Sequence, residues 1–519
     1  MPNPEKALPA AGQAKPTQNP AQKAGNTYET DGRERWCLAL TFGVCILMAD
    51  TVLWHGPGAG VTVLVLCWYG LLLAYAGRER LRKGESGFLL AVNLLLALTL
   101  ALTSNWYFKL WNCGALLLLL PVHAVALRDG DLLPWWESAM VGQRLRLLFQ
   151  GLFGYLGASG SALGAEKKGP ARRTAALAMG LTGAVILVLI LLPVLASADA
   201  LFQRATASFV DYFHRHFLSG LWRVLTGLIL TPFVFGLLYS IRRPRPLPQR
   251  KGQARFADPL ASGLILGALA ALYLVFLGIQ SAGLFGGVVY LAARGISYAD
   301  WARSGFFQLV FVTAVNLAVV LGAVGLSRRE GRGWRAVRGL ATALLAESGV
   351  LLCSAVWKMT LYVNAYGLSF KRFMTYWGMA VMAVFLTAAV LSVWRKGFRF
   401  CRTAFFTAVV GWVLVSFVPV DYLVARDGVD RYLSGQSSVD ITYLAWDLSY
   451  DTLDVLSGVE GDFRLNRWDH AAQADMTLET ALELRREAAR SECARWETWN
   501  LSAYLAGRAP EDVGRKMEQ

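Results

Sequence analysis

The stretch LASGLILGALAALYLVFLG, Leu260 to Gly278, decides the class of this chain. It contains no charged residue, and as an α-helix rising about 1.5 Å per residue it crosses the hydrocarbon core of a bilayer. A helix satisfies its backbone hydrogen bonds internally, which the interior of a bilayer requires. This stretch therefore predicts a membrane-spanning helix.

Similar apolar stretches recur along the chain and predict about eleven spans. Hydrophobic residues make up 55% of the sequence and charged residues 17%, below the roughly 25% of a soluble domain. The predicted fold class is an all-α, polytopic transmembrane helix bundle with a small helical C-terminal region. The predicted spans are Trp36–Trp54, Ala59–Ala76, Gly87–Thr103, Leu110–Leu127, Thr174–Leu195, Leu221–Ile241, Leu260–Gly278, Phe306–Leu326, Gly339–Trp357, Tyr376–Trp394 and Ala404–Val418.

The positive charges follow a pattern that predicts orientation. The net charge is +15, and the cations concentrate in every second loop, as topology signals rather than as a nucleic-acid surface. The positive-inside rule then places the N-terminus in the cytoplasm and, with an odd number of spans, the C-terminal region outside. One miscounted span would reverse the side of the C-terminal region. The basic loops are Arg78–Lys83, Lys167–Arg173, Arg242–Arg255, Arg328–Arg338 and Arg395–Arg402.

The same patterns divide the chain into five segments. The first segment is poor in bulky residues, which predicts disorder. The third segment has the amphipathic spacing of a helix that lies on the membrane surface. In the last segment acidic residues outnumber basic ones, and no pattern indicates a sheet. The predicted segments are a cytoplasmic tail (1–35), spans one to four (36–128), a cytoplasmic amphipathic segment (129–173), spans five to eleven (174–418) and an extracytoplasmic helical region (419–519).

Few residues suggest chemistry. No catalytic motif, phosphate loop or metal-ligand spacing stands out, and the seven cysteines are scattered, so we predict no catalytic residue, no metal and no cofactor. Asp211, His214 and His216 could be metal ligands, but a fourth ligand is missing, so we interpret them as a solvated polar face. Glu347 is the clearest ionisable group within a span. It either carries protons or cations, or is a neutral carboxyl bonded to a neighbouring helix, and the sequence leaves both open.

Other polar residues have structural interpretations. Asn93 and Asn316 are predicted to hydrogen-bond between neighbouring spans. Four carboxylates of the C-terminal region share helical spacing, and a solvated helix face is favoured for them over an acid/base pair or a cation site. These carboxylates are Asp440, Asp447, Asp451 and Asp454.

Three stretches carry a family resemblance: FLGIQSAGLFGG (Phe276–Gly287), SYADWARSGFFQLVFVTAVNL (Ser297–Leu317) and WKMTLYVNAYGLSFKRF (Trp357–Phe373). With matching positions between Ala425 and Asp451 and between Trp496 and Leu501, the chain resembles an uncharacterised bacterial family, catalogued as domain of unknown function 4173 with 4153-like relatives. The resemblance implies a multi-pass protein of the bacterial cell membrane. It implies no activity, cofactor or catalytic residue.

On the predicted topology, seven residues of these motifs fall at the outer membrane surface. Tyrosine and arginine there anchor helix ends or contact anions, so one hypothesis is a composite outer-face site for a polar or lipid-headgroup ligand, and the alternative is simple anchoring. The residues are Gln280, Tyr298, Arg303, Lys358, Tyr362, Tyr366 and Arg372.

Three classes of function remain. The favoured one is a binding or assembly protein of the cell envelope, whose partners are the lipid bilayer and an envelope protein or lipid-linked ligand. A transporter of a small polar solute would need an internal repeat and broken helices, for which the sequence shows no convincing sign. A membrane enzyme acting on a lipid-linked substrate would need an acid/base group near the outer motifs. Because no catalytic motif is found, the enzyme is less favoured.

Overall fold

A computed structural model of the protein describes residues 28, 31–82, 84–128, 132–134, 137, 139–163, 187, 191, 219–245, 257–285, 306–395, 397–435, 440–459, 463–466 and 475–508. Most of the predicted disordered tail lies outside these residues. So does the predicted fifth span, Thr174–Leu195, except at Leu187 and Leu191.

The described elements are almost all helical. In chain order the α-helices are α1 (Gly32–Met48, continued by a π-helical turn, Ala49–Trp54), α2 (Ala59–Ala76), α3 (Arg78–Arg82), α4 (Gly84–Leu102), α5 (Trp106–Ala126), α6 (Ala139–Gly154), α7 (Gly157–Ala162), α8 (Ser219–Arg242), α9 (Pro259–Phe285), α10 (Phe306–Leu326), α11 (Gly331–Tyr366), α12 (Phe370–Trp394), α13 (Phe400–Ser416), α14 (Val420–Leu433), α15 (Ile441–Trp446), α16 (Leu453–Leu456), α17 (Leu478–Cys493) and α18 (Leu501–Arg508).

The membrane helices confirm the predicted fold class. Among the described residues, nine helices are long and apolar enough to cross a bilayer: α1 with its π-helical turn, α2, α4, α5 and α8 to α12. Helices α13 and α14 pass the same test only as a pair, bent by 57°, and would make a tenth. These ten match the predicted spans other than the fifth. The protein is an all-α, multi-pass membrane protein.

Two membrane helices begin with capping residues that become important below. The side chain of Asn105 accepts a hydrogen bond from the backbone N–H of Phe108 at 2.9 Å, and the Ser369 hydroxyl accepts one from the N–H of Arg372 at 3.4 Å. Each cap satisfies a backbone donor that the first helical turn leaves free. Gly367 ends α11 with φ of +75°, a conformation that side chains with a Cβ rarely adopt.

Buried amides link neighbouring helices, as the sequence predicts. The Asn93 side chain donates to the Tyr69 hydroxyl at 2.7 Å, and the Asn316 side chain donates to the Ser348 hydroxyl at 3.0 Å, which confirms both predictions. The first network extends to His123, whose Nδ1 lies 2.9 Å from the Tyr69 oxygen. Because polar groups in an apolar interior require partners, these bonds select which faces of the helices meet.

Helix α6 lies within the predicted amphipathic segment. It packs on α8 at Gly151, where an added Cβ would lie 2.7 Å from the Leu237 Cδ1 and 3.3 Å from the Leu237 Cα. Phe149 and Phe153, one turn apart, are exposed, and the Phe153 ring centre lies 5.5 Å from that of Phe233 in α8. Trp135, also part of the predicted pattern, lies outside the described residues.

The C-terminal segment, residues 419–508, contains α14 to α18 and one departure from prediction. Helix α17 starts at Leu478, where the Thr477 side chain accepts a bond from the N–H of Thr480. The residues just before it form strand β2 (Asp475–Thr477), which pairs antiparallel with β1 (Arg464–Asn466). The expectation that no sheet would occur is therefore wrong here, because the Thr477 cap starts α17 at Leu478 and the three residues up to the cap pair as a strand.

Candidate ligand cavity between the membrane helices and the C-terminal segment

The C-terminal segment is bound to one end of the helix bundle. It contacts the three short connections α1–α2, α4–α5 and α11–α12. All three belong to the loops that alternate with the basic loops and contain few lysine and arginine residues. Three hydrogen bonds are representative: Ala59 N to Trp499 O at 2.8 Å, Tyr450 N to Ser104 Oγ at 3.0 Å, and Leu368 N to Asp427 Oδ2 at 2.7 Å. The segment therefore covers the end of the bundle at which these connections lie.

A charged contact strengthens this attachment. Lys109, in the first turn of α5, donates from Nζ to Glu492 Oε1 of α17 at 2.8 Å, and only 5% of Lys109 is exposed. Asn500 donates to the same carboxylate oxygen at 2.9 Å. A buried ammonium is tolerated only with a partner of this kind, so Glu492 holds α17 against α5.

A cavity of about 670 Å³ lies along this contact. Its wall combines the start of α5, the start of α12 and the C-terminal segment, so neither the bundle nor the segment forms it alone. The lining residues are Ser104, Asn105, Trp106, Tyr107, Ser369, Phe370, Lys371, Asp421, Tyr443, Trp446, Asp447, Leu448, Ser449, Tyr450, Arg485 and Glu492. Its volume falls in the range of small-molecule binding sites.

Asp421 is the most constrained polar group of the cavity wall. It is only 2% exposed, and its Oδ2 accepts two hydrogen bonds, from Asn105 Nδ2 at 2.7 Å and from Ser449 N at 2.9 Å. Asn105 is itself held by its capping bond to Phe108. The second oxygen, Oδ1, is buried and has no hydrogen-bond partner among the described residues. The fold thus orients a buried carboxylate beside a cavity and leaves half of it unsatisfied.

Aromatic rings and two cations line the rest of the wall. The Arg485 guanidinium lies 4.7 Å from the centre of the Tyr450 ring and donates from Nη2 to the carbonyl of Leu448 at 2.6 Å. Burial raises the pKa of the Tyr450 phenol to about 12, so this ring is uncharged at neutral pH. Lys371 is exposed at the start of α12. The cavity can therefore contact positive, negative and apolar parts of one ligand.

Three of the seven predicted ligand residues lie together at the junction of α11 and α12. The Arg372 guanidinium lies 4.2 Å from the ring centre of Tyr362 and 5.9 Å from that of Tyr366. Its Nη1 donates to the carbonyl of Tyr366 at 3.0 Å and to that of Gly367. Arg372 thus satisfies carbonyls at the end of α11. Its chain neighbours Phe370 and Lys371, rather than Arg372, line the cavity.

The other predicted residues are placed separately. Gln280 belongs to α9, and Tyr298 and Arg303 lie outside the described residues. Lys358 is only 4% exposed within α11. Glu347 is also buried, and within the described part of the chain its Oε2 has no hydrogen-bond partner. Neither Lys358 nor Glu347 lines the cavity.

Several cavity residues were not predicted from the sequence. Asn105 carries a local signal, a capping residue before a helix, but nothing local marks Asp421 or Arg485. Asp447 belongs to the carboxylates interpreted as a solvated face. It is exposed, and it also lines the cavity.

A separate polar group joins the first span to the C-terminal segment. Asp50, His55 and Glu497 each place one potential ligand atom within 4.8 Å of the others. Asp50 Oδ1 also lies 2.9 Å from Arg223 Nη1, so this carboxylate already has a cation beside it, and we propose no metal here. The stretch Asp211 to His216 lies outside the described residues.

The family comparison covers most of this architecture. A family described as a domain of unknown function, DUF4153, matches residues 90–458 of the 519 residues. The chain belongs to the DUF4153 family. This confirms the resemblance to the 4153-like relatives, whereas the number 4173 is not the matching one. No curated protein and no solved structure matches the chain. The DUF4153 match includes Asn105 and Asp421 but ends before Arg485 and Glu492, so the cavity also uses residues beyond it.

Proposed function

We propose that this multi-pass membrane protein is an envelope-associated binding or assembly protein that holds a polar or lipid-linked ligand in the cavity between its membrane helices and its C-terminal segment. The observation that carries the proposal is Asp421, a buried carboxylate with one unsatisfied oxygen beside a cavity of about 670 Å³. A buried polar group without a partner is destabilising by about 1–3 kcal/mol. A ligand that donates to it would remove this penalty.

The arrangement of the cavity supports binding by preorganised groups. Asn105 is held by a capping bond, and Asp421 is held by Asn105 and by the backbone of Ser449. These side chains lose little further freedom when a ligand enters, and such preorganisation raises affinity. Binding needs only this charge and shape, and it requires no reacting group.

We also propose that the cavity faces the outside of a bacterial cell membrane and that the N-terminus is cytoplasmic. The cation-poor connections α1–α2, α4–α5 and α11–α12 all contact the C-terminal segment. At the other end of the bundle Arg245, in the basic loop after α8, stacks 4.6 Å from the ring centre of Tyr155. The positive-inside rule assigns the basic end to the cytoplasm.

Thiol labelling in intact cells tests this orientation. In a background without native cysteines, Ser434→Cys in the C-terminal segment and Arg335→Cys at the start of α11 are treated with a membrane-impermeant reagent; both positions are exposed. We expect labelling at position 434 and none at 335 until the cells are permeabilised. Labelling at position 335 alone would contradict the proposed orientation and indicate the opposite one.

Blocking the cavity tests binding. Asp447 is exposed and lines the cavity, so Asp447→Trp places an indole at its wall without disturbing a buried residue. Native mass spectrometry of the full-length protein, purified in mild detergent, should show a bound small molecule or lipid in the wild type and at least a tenfold lower occupancy in the variant.

The matched control is Asp454→Trp, an equally large change at an exposed carboxylate of the same segment that does not line the cavity. It should retain the wild-type occupancy. Equal occupancy in Asp447→Trp and wild type, or no bound species in the wild type, would refute a ligand site in this cavity.

A further inference from the structure

We infer that the ligand of this cavity is the headgroup of an aminophospholipid, with its ammonium at Asp421 and its phosphate near Lys371. The inference rests on the proposed binding function and specifies its ligand. Three independent features of the cavity carry it: a buried carboxylate with one oxygen that has no donor, a wall of aromatic rings, and the starts of two helices with a lysine at one of them.

The carboxylate of Asp421 favours a cationic ligand with N–H donors. Its two hydrogen bonds come from the neutral Asn105 amide and the Ser449 backbone, both to Oδ2. Arg485, a half-buried cation of the cavity wall, attracts Asp421 only at longer range and directs its Nη2 to the Leu448 carbonyl. In the described part of the molecule no lysine or arginine forms an ion pair with Asp421, and Oδ1 has no donor. A buried carboxylate oxygen without a donor is destabilising, and a ligand ammonium would donate to Oδ1 and add a cation at hydrogen-bond distance.

The aromatic wall suits the same group. Tyr107, Phe370, Tyr443 and Trp446 line the cavity together with Asp421. The face of an aromatic ring carries a negative quadrupole that attracts ammonium groups, and this attraction grows when the site excludes water. A carboxylate flanked by aromatic rings therefore favours an ammonium over a neutral polar group.

The phosphate position follows from the two helix starts. Helix α5, of 21 residues, begins at Trp106, and helix α12, of 25 residues, begins at Phe370, and both residues line the cavity. The N-terminus of a helix carries a partial positive charge that attracts phosphate. Lys371 adds a full charge in the first turn of α12. A headgroup with an ammonium and a phosphate a few bonds apart would meet charges of the correct sign on both sides.

The location favours a lipid over a free metabolite. The cavity lies where α5 and α12 begin, at one end of the membrane helices, and Trp106 beside it is 67% exposed. Exposed tryptophans at helix ends are typical of the boundary between headgroups and acyl chains. A headgroup could occupy the cavity while its acyl chains remain in the bilayer.

A lipid-ranking experiment tests the inference. The full-length protein in mild detergent is titrated with phosphatidylethanolamine, phosphatidylcholine or phosphatidylglycerol, and bound lipid is counted by native mass spectrometry. We expect phosphatidylethanolamine to bind at least tenfold more tightly than phosphatidylglycerol, with phosphatidylcholine between them, because its ammonium is a cation without N–H donors.

Two variants separate the two halves of the headgroup. Asp421→Asn should lower affinity for phosphatidylethanolamine about tenfold, to the level of phosphatidylglycerol, and leave phosphatidylglycerol unchanged. Lys371→Gln, at an exposed position, should lower the affinities for phosphatidylethanolamine and phosphatidylglycerol to a similar degree. Asp454→Asn, which removes an exposed carboxylate that does not line the cavity, should change neither.

Each contrary result has its own meaning. No retained lipid in the wild type, or occupancy insensitive to Asp447→Trp, refutes the binding site itself. Retention without preference for phosphatidylethanolamine, or unaffected by Asp421→Asn, refutes the ammonium assignment alone. If Asp421→Asn does not fold, the relative affinities of the wild type and of Lys371→Gln for the three lipids test the ammonium assignment instead. Displacement by soluble glycerophosphoethanolamine at equal concentration would refute a lipid as the source of the headgroup.

Discussion

Replacing Lys109 with methionine should destabilise the folded protein by about 3 kcal/mol. The substitution keeps the apolar stem of the side chain but leaves the Glu492 carboxylate, 2.8 Å from Nζ in the intact protein, without its cation. Removing one partner of a buried ion pair typically costs about 3–5 kcal/mol. The lower end applies because 25% of the Glu492 side chain is exposed to solvent. The free energy of unfolding, measured by denaturant titration in detergent, checks this value.

A double variant shows whether the loss comes from the unpaired charge. Lys109→Met combined with Glu492→Gln removes both charges, so it should recover a substantial part of the stability that the single variant loses. A single variant as stable as the wild type, or a double variant no better than the single one, would mean that the pair does not hold α17 against α5.

Gly58→Ala should detach the C-terminal segment from the start of α2, with a loss of about 3 kcal/mol, the upper end for overpacking. A Cβ at this position would lie 2.5 Å from the carbonyl carbon of Thr498 and 2.6 Å from the carbonyl oxygen of Glu497. These are backbone atoms, which cannot rotate away. The adjacent bonds from Ala59 N and Gly60 N to this part of the chain, of 2.8 and 3.0 Å, would be lost. Limited proteolysis should then cleave the C-terminal segment faster.

Gly70→Ala is the matched control, because it makes the same change within α2 where no atom lies within 4 Å of the added Cβ. Alanine is favoured over glycine inside a helix by about 0.5–1 kcal/mol, so this variant should be as stable as the wild type or slightly more stable. Equal protease sensitivity of Gly58→Ala and Gly70→Ala would contradict a close backbone contact at Gly58.

Local sequence patterns were sufficient for the membrane helices. The run Leu260–Gly278 predicts a helix because the bilayer leaves an apolar segment few alternatives, and α9 contains it. The amides of Asn93 and Asn316 were predicted to bond between helices for a similar reason, since each has to find a partner within the bundle. The two-stranded hairpin before α17 was missed because its strands, three residues each, are too short for a period-2 pattern.

The sequence indicated which side chains lie together only where the residues are close in the chain. Tyr362, Tyr366 and Arg372 meet because one tight connection at Gly367 joins their two helices, and a motif read along the chain finds such a group. Asn105 and Asp421 are 316 residues apart, and the residue type of neither one indicates the other. No local pattern indicates that packing leaves only 4% of Lys358 exposed.

By itself the sequence determined that this protein crosses the membrane many times, which stretches of the described residues form spans, and which of their connections share an end of the bundle. These properties depend on hydrophobicity and charge within short windows, because each helix satisfies its own backbone. Only the tertiary structure decided that the C-terminal segment closes over one end of the bundle and forms a cavity there with a buried carboxylate. That property depends on which distant side chains meet, and packing among helices rather than any local pattern sets their distances.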